Sequence, residues 1–187
     1  MRINKYRLTY KSCELKVQSE IIYWNLYGNK SSSFWLDSSK IINGYSRFSI
    51  MGNAENSDDK IIKYKSNSNK VDITQMETKT IVNNNILDYL DEELRSNVLL
   101  NQDEDLPFGF LGGFIGYFGY ELKSEMKCHT THKSTIPDAA FLFITRYLVI
   151  DHLENKIYLV ALQKDGEENE VVAQCIPEMS RPLRIAK

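Results

Sequence analysis

Cys128-His129-Thr130-Thr131-His132 places a thiol and two imidazoles within five residues, the side chains that bind zinc. Structural zinc draws on four ligands, commonly as two paired clusters. The sequence holds no second cluster, so the segment reads as a solvated loop. Gly112-Gly113-Phe114-Ile115-Gly116 invites comparison with a dinucleotide fingerprint, which needs a strand, a glycine turn and a helix, with an acidic residue about 20 positions on. Here polar loop precedes the glycines and aromatics separate them, so they read as a place of close backbone packing. Asp151-His152 has the composition of an acid–base pair. It stands in a predicted turn with no nucleophile nearby in sequence, and reads as turn polarity. Asp88, Asp91, Glu92 and Glu93 lie on the polar face of a predicted helix, where charges serve solvation. The chain has no Gly-x-Ser-x-Gly elbow, Walker loop or metalloprotease helix motif, and no self-sufficient active site is legible in it.

Two dense patches remain. The first joins Phe34-Trp35-Leu36-Asp37-Ser38-Ser39 to Gly44-Tyr45-Ser46-Arg47-Phe48-Ser49-Ile50-Met51-Gly52, and the second runs from Leu106 to Lys123. Five of the nine glycines of the chain fall inside the aromatic second patch. Glycine forfeits packing and backbone entropy, so this concentration implies a backbone geometry or an approach that other residues would block.

The length of 187 residues fits one domain, or one domain and the start of another. With 42% apolar and 26% charged residues the chain has the makeup of an ordinary globular protein. A net charge of -2, a pI near 6.0 and scattered lysines give no electrostatic footprint for nucleic acid. Three cysteines at irregular spacing, Cys13, Cys128 and Cys175, are not a disulfide framework, and a reducing cytoplasm fits them. The basic N-terminus lacks the apolar run of a signal peptide. The apolar stretch Leu106 to Tyr120 falls short of the ~20 residues that cross a bilayer, so no membrane partner is expected and the stretch reads as buried core.

The elements that would position these residues are mostly strands. Ile21 to Tyr27 is an aromatic and branched run ending at Gly28-Asn29, which predicts a strand and a turn. Phe34 to Asp37 and Ser46 to Met51 predict two more. Ile61 to Lys65 and Val71 to Thr74 flank Ser66-Asn67-Ser68-Asn69 and predict a surface hairpin. Ile86, Leu87, Leu90 and Leu94 form one stripe of a helix that runs to about Val98, capped by Asn85, with Asp88 at its positive end, and this helix covers a sheet face. Asn101 to Asp105 is a polar connection. Ala139 to Ile150 and Lys156 to Gln163 predict two long strands in a hairpin. The tail after Gly166 is acidic, then contains Pro177 and Pro182, and resembles a linker cut short.

Phe34 to Ser39, Tyr45 to Phe48, the Gly112-Gly113-x-x-Gly116-Tyr117 run, Pro137-Asp138 and Asp151-His152 together resemble the N-terminal region of the chorismate-utilising amination enzymes. That family contains anthranilate synthase component I and aminodeoxychorismate synthase component I. The likeness spans about Glu20 to Gln163. The wording Phe-Trp-Leu-Asp-Ser-Ser is more similar to the aminodeoxychorismate branch than to the anthranilate branch. The resemblance implies an α+β fold of antiparallel sheets packed as a sandwich with flanking helices, completed by a C-terminal chorismate-binding half. It implies an N-terminal domain over 1–166, with 167–187 as linker or the start of the next half. It also implies a pocket for L-tryptophan, carried by motif onto Asp37, Ser38, Tyr45, Ser46, Arg47 and Phe48. Tyr45 and Phe48 would wall the indole, while Asp37, Ser38 and nearby backbone would hold the ammonium and carboxylate.

In the complete enzymes of this family, magnesium and the catalytic residues belong to the C-terminal half, and a glutamine amidotransferase supplies ammonia. The resemblance therefore implies no catalytic residue and no cofactor within these 187 residues, and a chain inactive by itself. Two other readings stay open. One is a stand-alone non-catalytic module that binds an amino acid or a subunit, and the other is a fragment of an anthranilate synthase component I.

Overall fold

The computed structural model describes residues 3–38, 40, 42, 46–101, 106–126 and 135–166. In chain order the elements are β1 (Asn4–Glu14), α1 (Ser19–Tyr27), β2 (Ser33–Leu36), β3 (Phe48–Asn53), β4 (Lys60–Lys65), β5 (Lys70–Gln75), β6 (Thr78–Asn83), α2 (Ile86–Ser96) and β7 (Asn97–Leu99), followed by β8 (Gly113–Phe118), a 3-10 turn (Tyr120–Met126), β9 (Ala139–Ile144), β10 (Arg146–Asp151) and β11 (Lys156–Lys164). The strands form a six-stranded sheet, ordered β2-β3-β10-β11-β1-β7, and a five-stranded sheet, ordered β6-β5-β4-β9-β8. The fold is α+β, as the resemblance implied. The chain divides into two compact units interleaved in sequence. Among the described residues, one is built chiefly from 54–98 and 113–144, the other from 4–53, 99–112 and 145–166.

In the unit of the six-stranded sheet, β1 pairs antiparallel with β11 from Tyr6 opposite Lys164 to Glu14 opposite Lys156. Sequence reading passed over β1, although Tyr6, Leu8 and Tyr10 alternate with Arg7, Thr9 and Lys11. The Ile21–Tyr27 run is a helix, not the predicted strand. Ile22 and Tyr27 are buried and Tyr23 and Leu26 half-buried, spacings that make a single helical stripe, while Ile21 and Trp24 face solvent. A run of β-formers without period-two alternation fixes no strand, and packing decides the conformation. The stripe covers Met51, Leu148, Ile150, Ile157 and Leu159.

In the other unit, α2 begins as predicted. Asn85 Oδ1 accepts the Asp88 N–H at 2.9 Å, and its Nδ2 donates to Asp88 Oδ2 at 2.6 Å, which satisfies an orphan donor of the first turn. The buried stripe differs from the predicted one. Ile86, Tyr89 and Leu90 pack on Ile62, Tyr64, Val71, Ala139 and Phe141, whereas Leu87 and Leu94 are exposed. Because the stripe runs through position 93, Glu93 is not a solvating charge. It is largely covered and bonds Lys60 Nζ at 2.7 Å and the Tyr89 hydroxyl at 3.1 Å. The β4–β5 hairpin forms, but Ile62, Tyr64 and Val71 are fully buried, so one face is core rather than surface. β6 was not anticipated.

The single long strand predicted over Ala139 to Ile150 is two strands. β9 ends at Ile144, β10 starts at Arg146, and they belong to different sheets. No glycine or proline marks the change at Thr145, and burial on both sides of it makes the sequence read as one apolar run. The stretch Leu106 to Tyr120 is not uniformly buried. Phe108 and Ile115 are, but β8 is an edge strand, and Tyr117, Phe118 and Tyr120 are 41%, 53% and 77% exposed. The reading of close packing holds at Gly116 and Gly119. A Cβ on Gly116 would fall 2.0 Å from the Ala140 carbonyl oxygen, and one on Gly119 would fall 2.8 Å from that of Asp138. β8 pairs antiparallel with β9, so these glycines open no strand–turn–helix unit for a dinucleotide. The Cys128–His132 segment, Cys175 and the tail from Glu167 lie outside the described residues.

A hydroxyl-centred site at the end of β2

β2 forms one edge of its sheet, pairing with β3 up to Leu36 opposite Ile50, and Asp37 and Ser38 follow directly. Ser49 lies on β3, opposite Ile150 of β10, and is fully buried. Its Oγ donates to Asp37 Oδ1 at 2.8 Å, accepts the Ser38 N–H at 2.9 Å and lies 2.6 Å from His152 Nε2. Ser38 Oγ donates to the Phe48 carbonyl at 2.7 Å. One buried hydroxyl on β3 thus ties down both residues that leave β2. A buried polar group without such partners would cost on the order of 1–3 kcal/mol.

A serine, a histidine and an aspartate meet here, yet their order is not that of a nucleophilic triad. In a triad the imidazole stands between hydroxyl and carboxylate and takes the hydroxyl proton. Here the hydroxyl stands in the middle, is buried and gives its proton to the carboxylate. The arrangement fixes geometry and does not make a nucleophile.

Arg47 precedes β3 and reaches the β10–β11 turn. Its Nε donates to Asp151 Oδ1 at 2.9 Å and its Nη2 to Oδ2 at 2.6 Å, a bidentate pair. Asp151 is fully buried and also accepts the N–H groups of Leu153 and Glu154, at 3.0 and 3.2 Å. Burial alone would raise its carboxyl. The bonds from Arg47, Glu154 and Leu153 outweigh that and hold it below the ordinary carboxylate value. The Asp151 bond in turn raises Arg47. The guanidinium sits 4.9 Å from the centre of the Phe48 ring, whose other neighbour is Phe108, edge-on at 5.9 Å. The His152 N–H donates to the Arg47 carbonyl at 3.1 Å, so the turn is clamped to the start of β3 by side chain and backbone together.

The structure therefore brings together Asp37, Ser38, Arg47 and Phe48. Ser46 closes its own loop instead. Its Oγ accepts the Ile42 N–H at 3.0 Å and donates to the Lys40 carbonyl, and its backbone pairs with Ile42. Tyr45 lies outside the described residues. Sequence reasoning missed Ser49 and set aside Asp151 and His152. The available signal was a serine inside the strand Phe48-Ser49-Ile50-Met51, since a hydroxyl in a core demands partners.

Among the described residues, no group of three or more His, Cys, Asp or Glu side chains is placed to hold a metal ion. No helix among them is long and apolar enough to cross a membrane. A cavity of about 300 Å³ in the other unit, lined by Ser57, Ile73, Gln75, Met76, Thr78 and Thr80, contains none of the candidate residues.

Comparisons with known proteins agree with this architecture. The chain is 34% identical over 160 residues to a probable chloroplastic aminodeoxychorismate synthase of Oryza sativa subsp. japonica, covering 79% of this chain and 18% of that protein. It is 31% identical over 169 residues to the aminodeoxychorismate synthase of Streptomyces griseus, covering 90% of this chain and 23% of that protein. The chain thus spans about a fifth of the length of these relatives. Anthranilate synthase component I of Streptococcus pneumoniae TIGR4 shares the fold, with a TM-score of 0.56 at 24% identity over 94% of this chain and 37% of that one. The sequence model described as chorismate binding enzyme matches residues 49–182, well over half of the chain, and the chain belongs to that family.

Proposed function

We propose that this chain is the N-terminal portion of an aminodeoxychorismate synthase component I, and that its part in that enzyme is structural and amino-acid-binding rather than catalytic. The names of the relatives that align with most of the chain support the aminodeoxychorismate branch. The observation that carries the assignment of role is the Asp37–Ser38 pair, held by a buried hydroxyl in a geometry that offers acceptors and no activated nucleophile.

In the complete enzyme, ammonia from a glutamine amidotransferase would replace the chorismate 4-hydroxyl and give 4-amino-4-deoxychorismate on the way to p-aminobenzoate and folate. Magnesium would be held by the chorismate-binding half of the complete enzyme. When bound there it would neutralise substrate carboxylate charge. A cytoplasmic location is part of the proposal; the names of the plant relatives place those proteins in the chloroplast.

L-tryptophan is the proposed ligand. Asp37 presents a carboxylate and Ser38 hydroxyl lone pairs, which suit an ammonium group. The Phe48 ring supplies aromatic surface for an indole. Arg47 contributes by holding the turn and lining Phe48, because both of its donor edges toward Asp151 are already used. Calorimetric titration of the chain with L-tryptophan tests the reading. Saturable binding weakened by Asp37→Ala is expected, and the absence of saturable heat at millimolar ligand would overturn it.

A further inference from the structure

We infer that Ser49 and His152 are positioning residues for this amino-acid pocket, acting as a latch that holds Asp37 and the Ser38 backbone so that the Asp37 carboxylate and the Ser38 hydroxyl are set for a cationic amine. The inference rests on the pocket reading above for its ligand, but not for its geometry.

The hydrogen-bond arithmetic at Ser49 leaves one solution. A serine hydroxyl has one proton to give and two lone pairs to fill. Its three partners are Asp37 Oδ1 at 2.8 Å, the Ser38 N–H at 2.9 Å and His152 Nε2 at 2.6 Å. A carboxylate only accepts and an amide N–H only donates, so the hydroxyl proton goes to Asp37 and one lone pair goes to Ser38. The remaining lone pair requires a donor, and His152 must therefore carry its proton on Nε2. With the opposite tautomer the Nε2 lone pair would compete for the hydroxyl proton. Asp37 Oδ1 would then face the oxygen of Ser49 with no proton between them, and the carboxylate would be released.

The latch is anchored at both ends. Ser49 is fully buried on β3, between β2 and β10. His152 is fixed by its backbone bond to the Arg47 carbonyl, in a turn that Asp151 braces through Leu153, Glu154 and Arg47. Its consequence for ligand selection is direct. Asp37 Oδ1 is committed to Ser49, and Oδ2 accepts no hydrogen bond among the described residues. Ser38 spends its proton on the Phe48 carbonyl and keeps its lone pairs. Among the described residues the Asp37 carboxylate and the Ser38 hydroxyl thus present acceptors beside a negative charge, in a register set by one hydroxyl, and that favours a primary ammonium over an anionic group.

The test uses the full 187-residue chain. Long-range proton–nitrogen NMR on uniformly labelled protein reads the His152 tautomer without any substitution or ligand. Protonation at Nε2 is expected, and an Nδ1-protonated neutral ring would overturn the latch. Titration with L-tryptophan then compares His152→Leu, which removes the donor, with His152→Gln, which restores an N–H at the same reach. Loss of the donor should weaken binding by about tenfold or more, with His152→Gln within about threefold of the unmodified chain. Equal binding by the His152→Leu variant would overturn the proposal. If the unmodified chain binds no L-tryptophan, the pocket reading fails and the latch is judged by NMR alone. An Nε2-protonated ring with a displaced Ser38 amide resonance in His152→Leu then sustains it, and an unmoved Ser38 amide ends it.

Discussion

Replacing Gly116 by alanine should lift the edge strand β8 away from β9. An ideal Cβ at this position falls 2.0 Å from the Ala140 carbonyl oxygen and 2.7 Å from Phe141 Cα, where ordinary contact begins near 3.4 Å. The clash is with backbone, so no side-chain rotation relieves it, and a displacement of about 1.4 Å (3.4 − 2.0) is required. β9 is held on its other side by β4 from Lys60 opposite Phe143 to Tyr64 opposite Ala139, whereas among the described residues β8 has no neighbour beyond it in the sheet. β8 is therefore the strand that moves. Overpacking costs up to about 3 kcal/mol, and the reduced freedom of the unfolded chain on replacing glycine returns about 0.4–1 kcal/mol. The net loss is about 2 kcal/mol, equivalent to roughly thirtyfold faster amide exchange through local opening. Tryptophan fluorescence is the wrong probe, because Trp24 and Trp35 both belong to the other unit. Hydrogen exchange over residues 113–118 and 139–144 reads the affected pair directly. Gly109→Ala is the control, since no atom lies within 4 Å of a Cβ there. Exchange in Gly116→Ala within threefold of the control would refute the reasoning.

Three further outcomes are expected. Burial raises the carboxyls of Asp138 and Asp151, but hydrogen bonds hold both below the ordinary value, through Ser66 and Lys65 for Asp138 and Arg47 and turn N–H groups for Asp151. A carboxyl whose folded value is depressed stabilises fully above its unfolded value, near 3.9, and the contribution is lost as pH falls through the folded value. Urea midpoints should thus drop steeply below about pH 4, and less steeply in Asp151→Asn. The exposed Tyr117 and Phe118 on β8 and Tyr120 just after it should make the purified chain associate, as light scattering would detect; a monodisperse monomer that binds no hydrophobic dye would contradict this. Pure chain given chorismate, magnesium and ammonium should form no 4-amino-4-deoxychorismate by chromatographic assay, and measurable product would show that the proposed division of labour is wrong.

What was legible in the sequence follows the physics of each signal. α2 was readable because its cap, Asn85 with Asp88, is a local motif, but its stripe was rotated because Ile86, Tyr89 and Leu90 cover the core where Leu87 and Leu94 were expected. The β4–β5 and β10–β11 hairpins were readable because their turns are polar and short. α1 was misread because β-forming residues without alternation leave the choice to tertiary packing. The β9–β10 break was hidden because a chain passing from one sheet to another can stay buried throughout and needs no turn residue. At the site, Asp37 and Ser38 came from resemblance, while their hub did not come at all. Ser49 and His152 are 103 positions apart, and only the antiparallel pairing of β3 with β10 brings them together. Asp151-His152 looked like turn polarity since its partners, Arg47 and Ser49, are distant in sequence.

The claim that this segment is an amino-acid-binding portion of its enzyme is tested most directly by calorimetry with L-tryptophan on the unmodified chain and on Asp37→Ala. The account predicts saturable one-to-one binding that Asp37→Ala weakens by about tenfold or more; no saturable heat at millimolar L-tryptophan, or equal affinity in the two proteins, would contradict it.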